Sequence, residues 1–392
     1  MSYSCPTLPD RTALVHDWMP VIGGAERVLA EMIACCPQAD VFTVFDFLNA
    51  TDRSELLGNA RVTASGLNKL PKVQHYYRNL LLAATRAIER FDVSKYDLVL
   101  SSSTALAKGV ITNSNQHHIA YMHSTTRYAW DLTHDYLATI KGPLAPLRRL
   151  IAHEMMHRYR VWDMRTVSSI DHFIANSRFT RERIWKFYRR EAEVIYPPVD
   201  IDKFQPGAKP REAFYLTLSR LVPYKQIPLM IEAFAGTPER QLVVIGDGPD
   251  LGKIQRMAPA NVTILGYQAT EVVIDYLQRC RAFIFAAQED FGIAPVEAQA
   301  CGAPVIAFDG GGTAETIRGL NRSQPSGVHF DQQTASSLRR AIAQFEEAEG
   351  SISGANCRAQ AERFSSRRFH TQLVGHVLEL TQTASRRTKT PA

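Results

Sequence analysis

Glu289 and Glu297 are the chain's first candidates for chemistry. They are two carboxylates eight positions apart in RAFIFAAQEDFGIAPVEAQACGAPVIAFDGGGTAETIR, residues 281–318. The spacing alone says little, because the pattern puts Glu289 before a helix and Glu297 inside it. What precedes them says more. Ala282 to Ala287 is a short apolar run with the pattern of a buried parallel strand. Gln288, Glu289, Asp290 and Gly292 then form the loop at that strand's carboxyl end, where open α/β sheets bind ligands. A helix follows, with Pro295 tolerated in its first turn and Gly302 and Pro304 ending it. After a second strand, Val305 to Phe308, Gly310, Gly311 and Gly312 lead into another helix near Thr313. Bare backbone N–H groups and the helix dipole suit an anion at both helix starts.

Arg220 and Lys225 supply the complementary charge. They follow the strand Phe214 to Ser219 in LSRLVPYKQ. A planar guanidinium that grips two oxygens, beside a point-charge ammonium, suits a pyrophosphate. Thr12 to Asp17, the pair Gly23 and Gly24, and a helix from about Ala25 to Cys35 form a second strand–glycine–helix unit where backbone can approach a phosphate or sugar. His123 ends the strand His118 to Met122, and Gly266 and Tyr267 follow the strand Val262 to Leu265.

Three other patterns carry less. Gly246, Gly248 and Gly252 approach a dinucleotide fingerprint, but the last spacing is one too long and Leu251 stands where glycine is required. Asp200 and Asp202 form a D-x-D that follows two prolines and reads as a linker turn. His153 to His157, HEMMH, matches the zinc-protease helix motif literally. Arg160 occupies the glycine position of the longer pattern, no third ligand is evident, and Arg148, Arg149, Arg158 and Arg160 oppose a cation. No metal and no cofactor are expected.

The elements that must position these residues alternate. Val41 to Phe45, a helical region Lys69 to Arg90, Leu98 to Ser101, and Asp171 to Asn176 with Ser177 capping the next helix give a βαβ rhythm. Val194 to Pro198 closes a first domain. Gln241 to Ile245 is a strand of the second, and residues 335–349 and 355–380 read as helices. At 392 residues the chain holds two domains, each with its own core. Hydrophobic residues at 45% and charged residues at 21% are those of a soluble globular protein. No apolar run reaches the ~18 residues that span a bilayer, and MSYSCPTLPDR lacks the regions of a signal peptide, so a cytoplasmic location is expected. The six cysteines lack a C-x-x-C pair and read as reduced packing thiols. A net charge of +6 permits an anionic partner, a nucleotide or anionic lipid, and no nucleic-acid motif is present. The basic, apolar helices at 69–90 and around 148–160 fit either a solvated face over a core or a membrane-surface helix.

The order of apolar strand, EDFG, PVEA, CGAPVIA and GGGTAET closely resembles the sugar-nucleotide site of retaining glycosyltransferases of family 4. HDW followed by GGAERVL, and YMHSTTRYAWD, resemble the same family's first-domain loops, most of all in bacterial polysaccharide mannosyltransferases. The resemblance implies the GT-B fold, two Rossmann-like domains facing across a cleft. It places an acceptor domain at 1–200, a nucleotide-sugar domain at 201–364, a helix at 365–385 rejoining the first domain, and a disordered tail at 386–392. It implies that Arg220 and Lys225 clamp the diphosphate, that Glu289 anchors sugar hydroxyls and Glu297 the ribose, and that His123 lines the sugar pocket. Gly23, Gly24, Phe291, Gly292 and Ile293 approach the donor, and Gly266 and Tyr267 hold the base. The implied partners are a nucleoside diphosphate sugar, GDP-mannose, and a lipid-linked saccharide of polysaccharide or O-antigen assembly, met at the inner face of the plasma membrane. A UDP-sugar transferase of the same family, a GT-B sugar-nucleotide epimerase and a non-catalytic, membrane-docking nucleotide-sugar-binding protein are the alternatives.

Overall fold

The computed structural model describes residues 5–387. The chain divides into two compact units, one comprising the residues up to Tyr196 with those from Phe369 onward, the other Pro197–Arg368. In the first unit the chain runs β1 (Thr12–Met19), α1 (Gly24–Cys35), β2 (Asp40–Asp46), α2 (Ala50–Leu57), β3 (Val62–Ala64) and α3 (Leu81–Ile88). It continues through β4 (Leu98–Ser103), β5 (His117–Met122), α4 (Thr133–Thr139), α5 (Ala145–Thr166), β6 (His172–Ala175), α6 (Arg178–Tyr188) and β7 (Ala192–Val194). The second unit holds β8 (Phe214–Leu218), α7 (Ile227–Ala235), β9 (Gln241–Ile245), α8 (Leu251–Met257), β10 (Val262–Gly266), α9 (Thr270–Arg279) and β11 (Ala282–Phe285). Then come α10 (Ile293–Ala300), β12 (Val305–Phe308), α11 (Thr313–Thr316), β13 (Gly327–Phe330), α12 (Ala335–Ala348), α13 (Gly354–Ala361) and α14 (Ser366–Arg387).

Each unit is built on one parallel sheet, ordered β3-β2-β1-β4-β5-β6-β7 in the first and β10-β9-β8-β11-β12-β13 in the second. Helices cover both faces of such sheets, which is why the central strands β1 and β4 are buried nearly throughout rather than alternating. The fold is α/β, two Rossmann-like units. In both sheets the strand order reverses once, between β1 and β4 and between β8 and β11. Those reversals open the crevices at which α/β sheets bind ligands.

α14 returns the chain to the first unit. Phe369, Leu373, Val374 and Val377 recur on one helical stripe and are buried against Leu14, Leu100 and Tyr121. Ser177 caps α6, accepting from the Thr180 N–H at 3.0 Å. The helical region expected over 69–90 is a correction. Only Leu81–Ile88 is α-helix, preceded by three short 3₁₀ turns. Pro71 lacks an N–H to donate and Lys72 takes a left-handed φ of 53°, which together stop a continuous helix. Tyr77 instead turns inward onto Trp18, Phe45 and Phe47. The last strand of the first unit, β7, stops at Val194, and Pro197 and Pro198, which cannot donate to a ladder, follow it. Of the tail at 386–392, Arg386 and Arg387 belong to α14 and the rest lies outside the described residues.

Candidate functional site

In the second unit, the candidate residues gather at the β8/β11 reversal. Arg220 leaves the end of β8 exposed, and Lys225 closes the 3₁₀ turn Pro223–Lys225 that follows. Glu289 leaves the end of β11 and forms an ion pair with Lys225, both side chains being largely buried. The Lys225 ammonium also lies 5.7 Å from the centre of the Phe285 ring and 5.6 Å from that of Tyr224. Lys225 is therefore fixed by a carboxylate and two aromatic faces, a preorganised cation rather than a mobile surface lysine. α10 begins at the same end of the sheet, with Gly292 at φ 83° as its N-cap. The Phe291 ring is buried against Phe364. Ile293 opens the helix, and Glu297, 6% exposed, lies on its buried side.

Two glycine-bearing loops hold this arrangement by close backbone approach. A Cβ at Gly311, which sits at φ 76°, would meet the Glu289 carbonyl oxygen at 2.1 Å, and the Gly312 N–H donates to that same oxygen at 2.8 Å. The Gly312 donor is spent on the loop that carries Glu289, and α11 is four residues long. Gly246, at φ 144°, packs against Ser219, where a Cβ would lie 1.8 Å from the carbonyl oxygen. Leu221 N–H donates to Asp247 at 2.9 Å, so the near-fingerprint glycines seat the loop bearing Arg220. Gly266 gives its carbonyl to the Gly246 N–H at 2.8 Å, and the Tyr267 side chain is 80% exposed beside it.

In the first unit, the β1/β4 reversal carries a polar chain that sequence reasoning did not assemble. His16 on β1 lies in register with Ser102 on β4, and its Nδ1 is 3.0 Å from the Ser102 hydroxyl. The same hydroxyl is 2.7 Å from Nε2 of His123. On the other side, His16 Nε2 lies 3.9 Å from Glu26, whose second oxygen accepts the Gly23 N–H at 3.0 Å. Gly23 thus donates to a carboxylate of its own helix, and Gly24 is exposed at the first position of α1. The signal for Glu26 was present as capping-box spacing, an acid three positions after the N-cap. The carbonyl of His123 accepts from Asn176 at 2.8 Å. Burial, with His16 alongside, pushes the His123 imidazole down to about 3, so the ring is neutral at neutral pH.

A family model described as Glycosyl transferases group 1 matches residues 198–364, and one described as Glycosyltransferase Family 4 matches residues 22–203. The chain belongs to the family 4 glycosyltransferases. Among relatives of this glycosyltransferase family, a D-inositol 3-phosphate glycosyltransferase of Gordonia bronchialis is 29% identical over 238 residues, 52% of this chain and 51% of that protein. A GDP-mannose-dependent alpha-(1-6)-phosphatidylinositol monomannoside mannosyltransferase of Mycolicibacterium smegmatis is 32% identical over 221 residues, 45% of this chain and 57% of that protein. The chain spans about half the length of the curated relatives it matches. The structure of Anabaena HepE in complex with UDP and glucose superposes with a TM-score of 0.70 at 17% identity, covering 94% of this chain and all (100%) of that one. Likeness at that identity establishes the fold, GT-B.

The remaining motifs of this family 4 member have structural partners. Asp17, of HDW, is buried and accepts the N–H groups of Thr104, Ala105, Leu106 and Ala107 at 2.6–2.9 Å. It holds the end of β4 rather than a ligand. Trp130 donates to Asp163 at 2.9 Å and Asp131 pairs with Arg183 at 2.8 Å, which anchors the segment after His123. Asp200 accepts the Lys203 N–H at 2.9 Å, a turn. His153 and His157 lie exposed on α5, and Glu154 between them is paired with Arg158 at 2.7 Å.

Proposed function

We propose that this chain is a retaining hexosyltransferase that moves mannose from GDP-mannose to a hydroxyl of a lipid-linked saccharide. The observation that carries the reading is the convergence of Arg220, the Lys225–Glu289 pair and the start of α10 on one topological reversal. The bond that breaks joins the anomeric carbon to a diphosphate oxygen. Charge then separates, an oxocarbenium-like sugar on one side and a diphosphate on the other. Arg220, Lys225 and the positive end of α10 neutralise the departing anion without a metal. Glu289 accepts hydrogen bonds from sugar hydroxyls and Glu297 from the ribose. The departing phosphate takes the acceptor's proton, so no separate general base is needed. His123, held neutral, is assigned to the sugar's hydroxyls.

The donor assignment is supported by the mannosyltransferase relative whose name specifies GDP-mannose. The acceptor assignment is supported by that relative's lipid-borne substrate and by α5. This helix exposes Leu147, Leu150 and Ile151 at 54%, 67% and 52% beside Arg148 and Arg149, an apolar stripe flanked by cations that suits anionic headgroups. No helix among the described residues is long and apolar enough to cross a membrane.

Thermal unfolding with GDP, GDP-mannose, UDP and UDP-glucose tests the donor. GDP-mannose at a hundredfold excess over its Kd should stabilise by about 2.7 kcal/mol, and the nucleotide-induced shift should survive EDTA. A uracil preference overturns the donor; no response to any nucleotide overturns the transferase reading. Sedimentation with phosphatidylglycerol vesicles tests α5. Leu150→Ser with Ile151→Ser should release the protein, and unchanged binding removes α5 as the docking face.

A further inference from the structure

Cys5, Cys35 and His370 come from three distant stretches of the chain and meet inside the first unit. Cys5 precedes β1, Cys35 ends α1, and His370 lies in the first turns of α14. A ligand atom from each lies within 4.8 Å of the other two. Cys35 and His370 are buried, at 0% and 5% exposure, and Cys5 is half-buried. The sequence reading treated all six cysteines as packing thiols, because neither spacing nor pattern links position 5 to 35 or either to 370.

Two sulfurs bound at about 2.3 Å to one tetrahedral zinc lie about 3.8 Å apart, and here they are 3.7 Å apart. Glu31, one turn before Cys35 on α1, has a carboxylate oxygen 2.6 Å from Nε2 of His370. A carboxylate against the imidazole of a metal-binding histidine is the usual device for fixing its ring and tautomer. Cys35 belongs to the first unit's apolar core together with Leu29, Met32, Phe369 and Leu373, and Cys5 packs half-buried against that core.

We propose that Cys5, Cys35 and His370 form a structural site for a thiophilic divalent cation, zinc by ligand type, with Glu31 orienting the histidine. The ion would clamp the segment before β1 and the end of α1 to α14. That adds a coordinate link to a helix otherwise held by an apolar stripe. Metal binding to the folded form alone then raises the stability of the first unit.

The test is cobalt titration of the reduced, chelator-stripped, full-length protein, followed by zinc competition. One equivalent of cobalt should produce thiolate-to-metal charge-transfer absorption and tetrahedral ligand-field bands, and zinc should abolish both while raising the melting temperature. Cys5→Ser, at a half-buried position that tolerates the change, should remove the charge-transfer intensity of one thiolate, and Glu31→Gln should weaken binding about tenfold or more. Absence of a charge-transfer band in folded wild-type protein overturns the proposal. So does a band that persists unchanged in both Cys5→Ser and Cys35→Ser. If oxidation instead links Cys5 to Cys35 and the reduced protein takes up no cobalt, the pair is a redox couple and the metal assignment is wrong.

Discussion

Lys225 and Glu289 neutralise one another before any ligand arrives, and that pairing has a consequence for catalysis. When a diphosphate binds, the ammonium gains a second anionic neighbour and the carboxylate is freed in part to accept from sugar hydroxyls. The two residues should therefore separate kinetically. Lys225→Ala should weaken nucleotide binding and lower kcat/KM by roughly 10²–10³-fold, the loss typical of one preorganised donor to a developing anion. Glu289→Gln should leave the Kd for the free nucleotide near wild type and lower kcat with the sugar donor. Calorimetric Kd values beside initial rates check this; equal losses in both variants would remove the division of roles. Both residues were readable as candidates because each lies in the loop that leaves an apolar strand. His16 and Ser102 were not, because their relation is made by the register of β1 on β4, which no local pattern encodes, and Glu26 was missed although its capping-box spacing was there.

At the scale of elements, legibility followed the strength of the local signal. Most strands of both sheets were readable as apolar runs, the short β3, β7 and β13 excepted, α6 as a capped helix and α12 as a helical segment. Residues 69–90 misled because their apolar residues recur often enough to suggest a helix while Pro71 and the inward Tyr77 decide otherwise. In α5 the zinc motif set aside on sequence grounds has His153 and His157 exposed, and the residue that matters to the fold is Asp163, nearly two turns further on. Asp163 and Lys108 are both fully buried and 2.6 Å apart. Thr166 completes the lysine's bonding at 2.8 Å, and Trp130 and Tyr188 donate to the carboxylate at 2.9 and 2.8 Å. A network so fully satisfied tolerates no single deletion. Asp163→Ala leaves an ammonium buried without its counter-charge and should cost about 3–5 kcal/mol, whereas Asp163→Leu combined with Lys108→Met should recover much of the loss. Urea unfolding of the three proteins measures it. A double variant no better than the single one would mean that packing around α5, not charge, sets the cost.

For the whole molecule, the two units differ in what they titrate. Of the 12 histidines, only His329 lies in Pro197–Arg368. In the first unit, burial pushes His118 down from 6.5 to about 4 and His123 to about 3, and lowers His172 as well. Their folded values lie below the unfolded one, so the unfolded chain binds protons that the folded unit refuses. The stability they contribute is complete above about pH 6.5 and is lost as pH falls toward 4 and 3, at roughly 1.4 kcal/mol per pH unit for each fully buried ring. Carboxylates with lowered values, Asp40 in the first unit and Glu346 in the second, begin to titrate only near their ordinary 3.8 and 4.5. Between pH 6.5 and about 5.5 these histidine shifts dominate, and they act on one unit. All four tryptophans, Trp18, Trp130, Trp162 and Trp185, belong to that same unit. Tryptophan fluorescence therefore follows the first unit, while far-ultraviolet circular dichroism follows both. On going from pH 7 to 5, the fluorescence midpoint in urea should fall well ahead of the dichroism midpoint, and His118→Gln should reduce the gap. Midpoints that fall together at every pH would mean that the two units unfold as one and that proton uptake by the first is felt equally by the second.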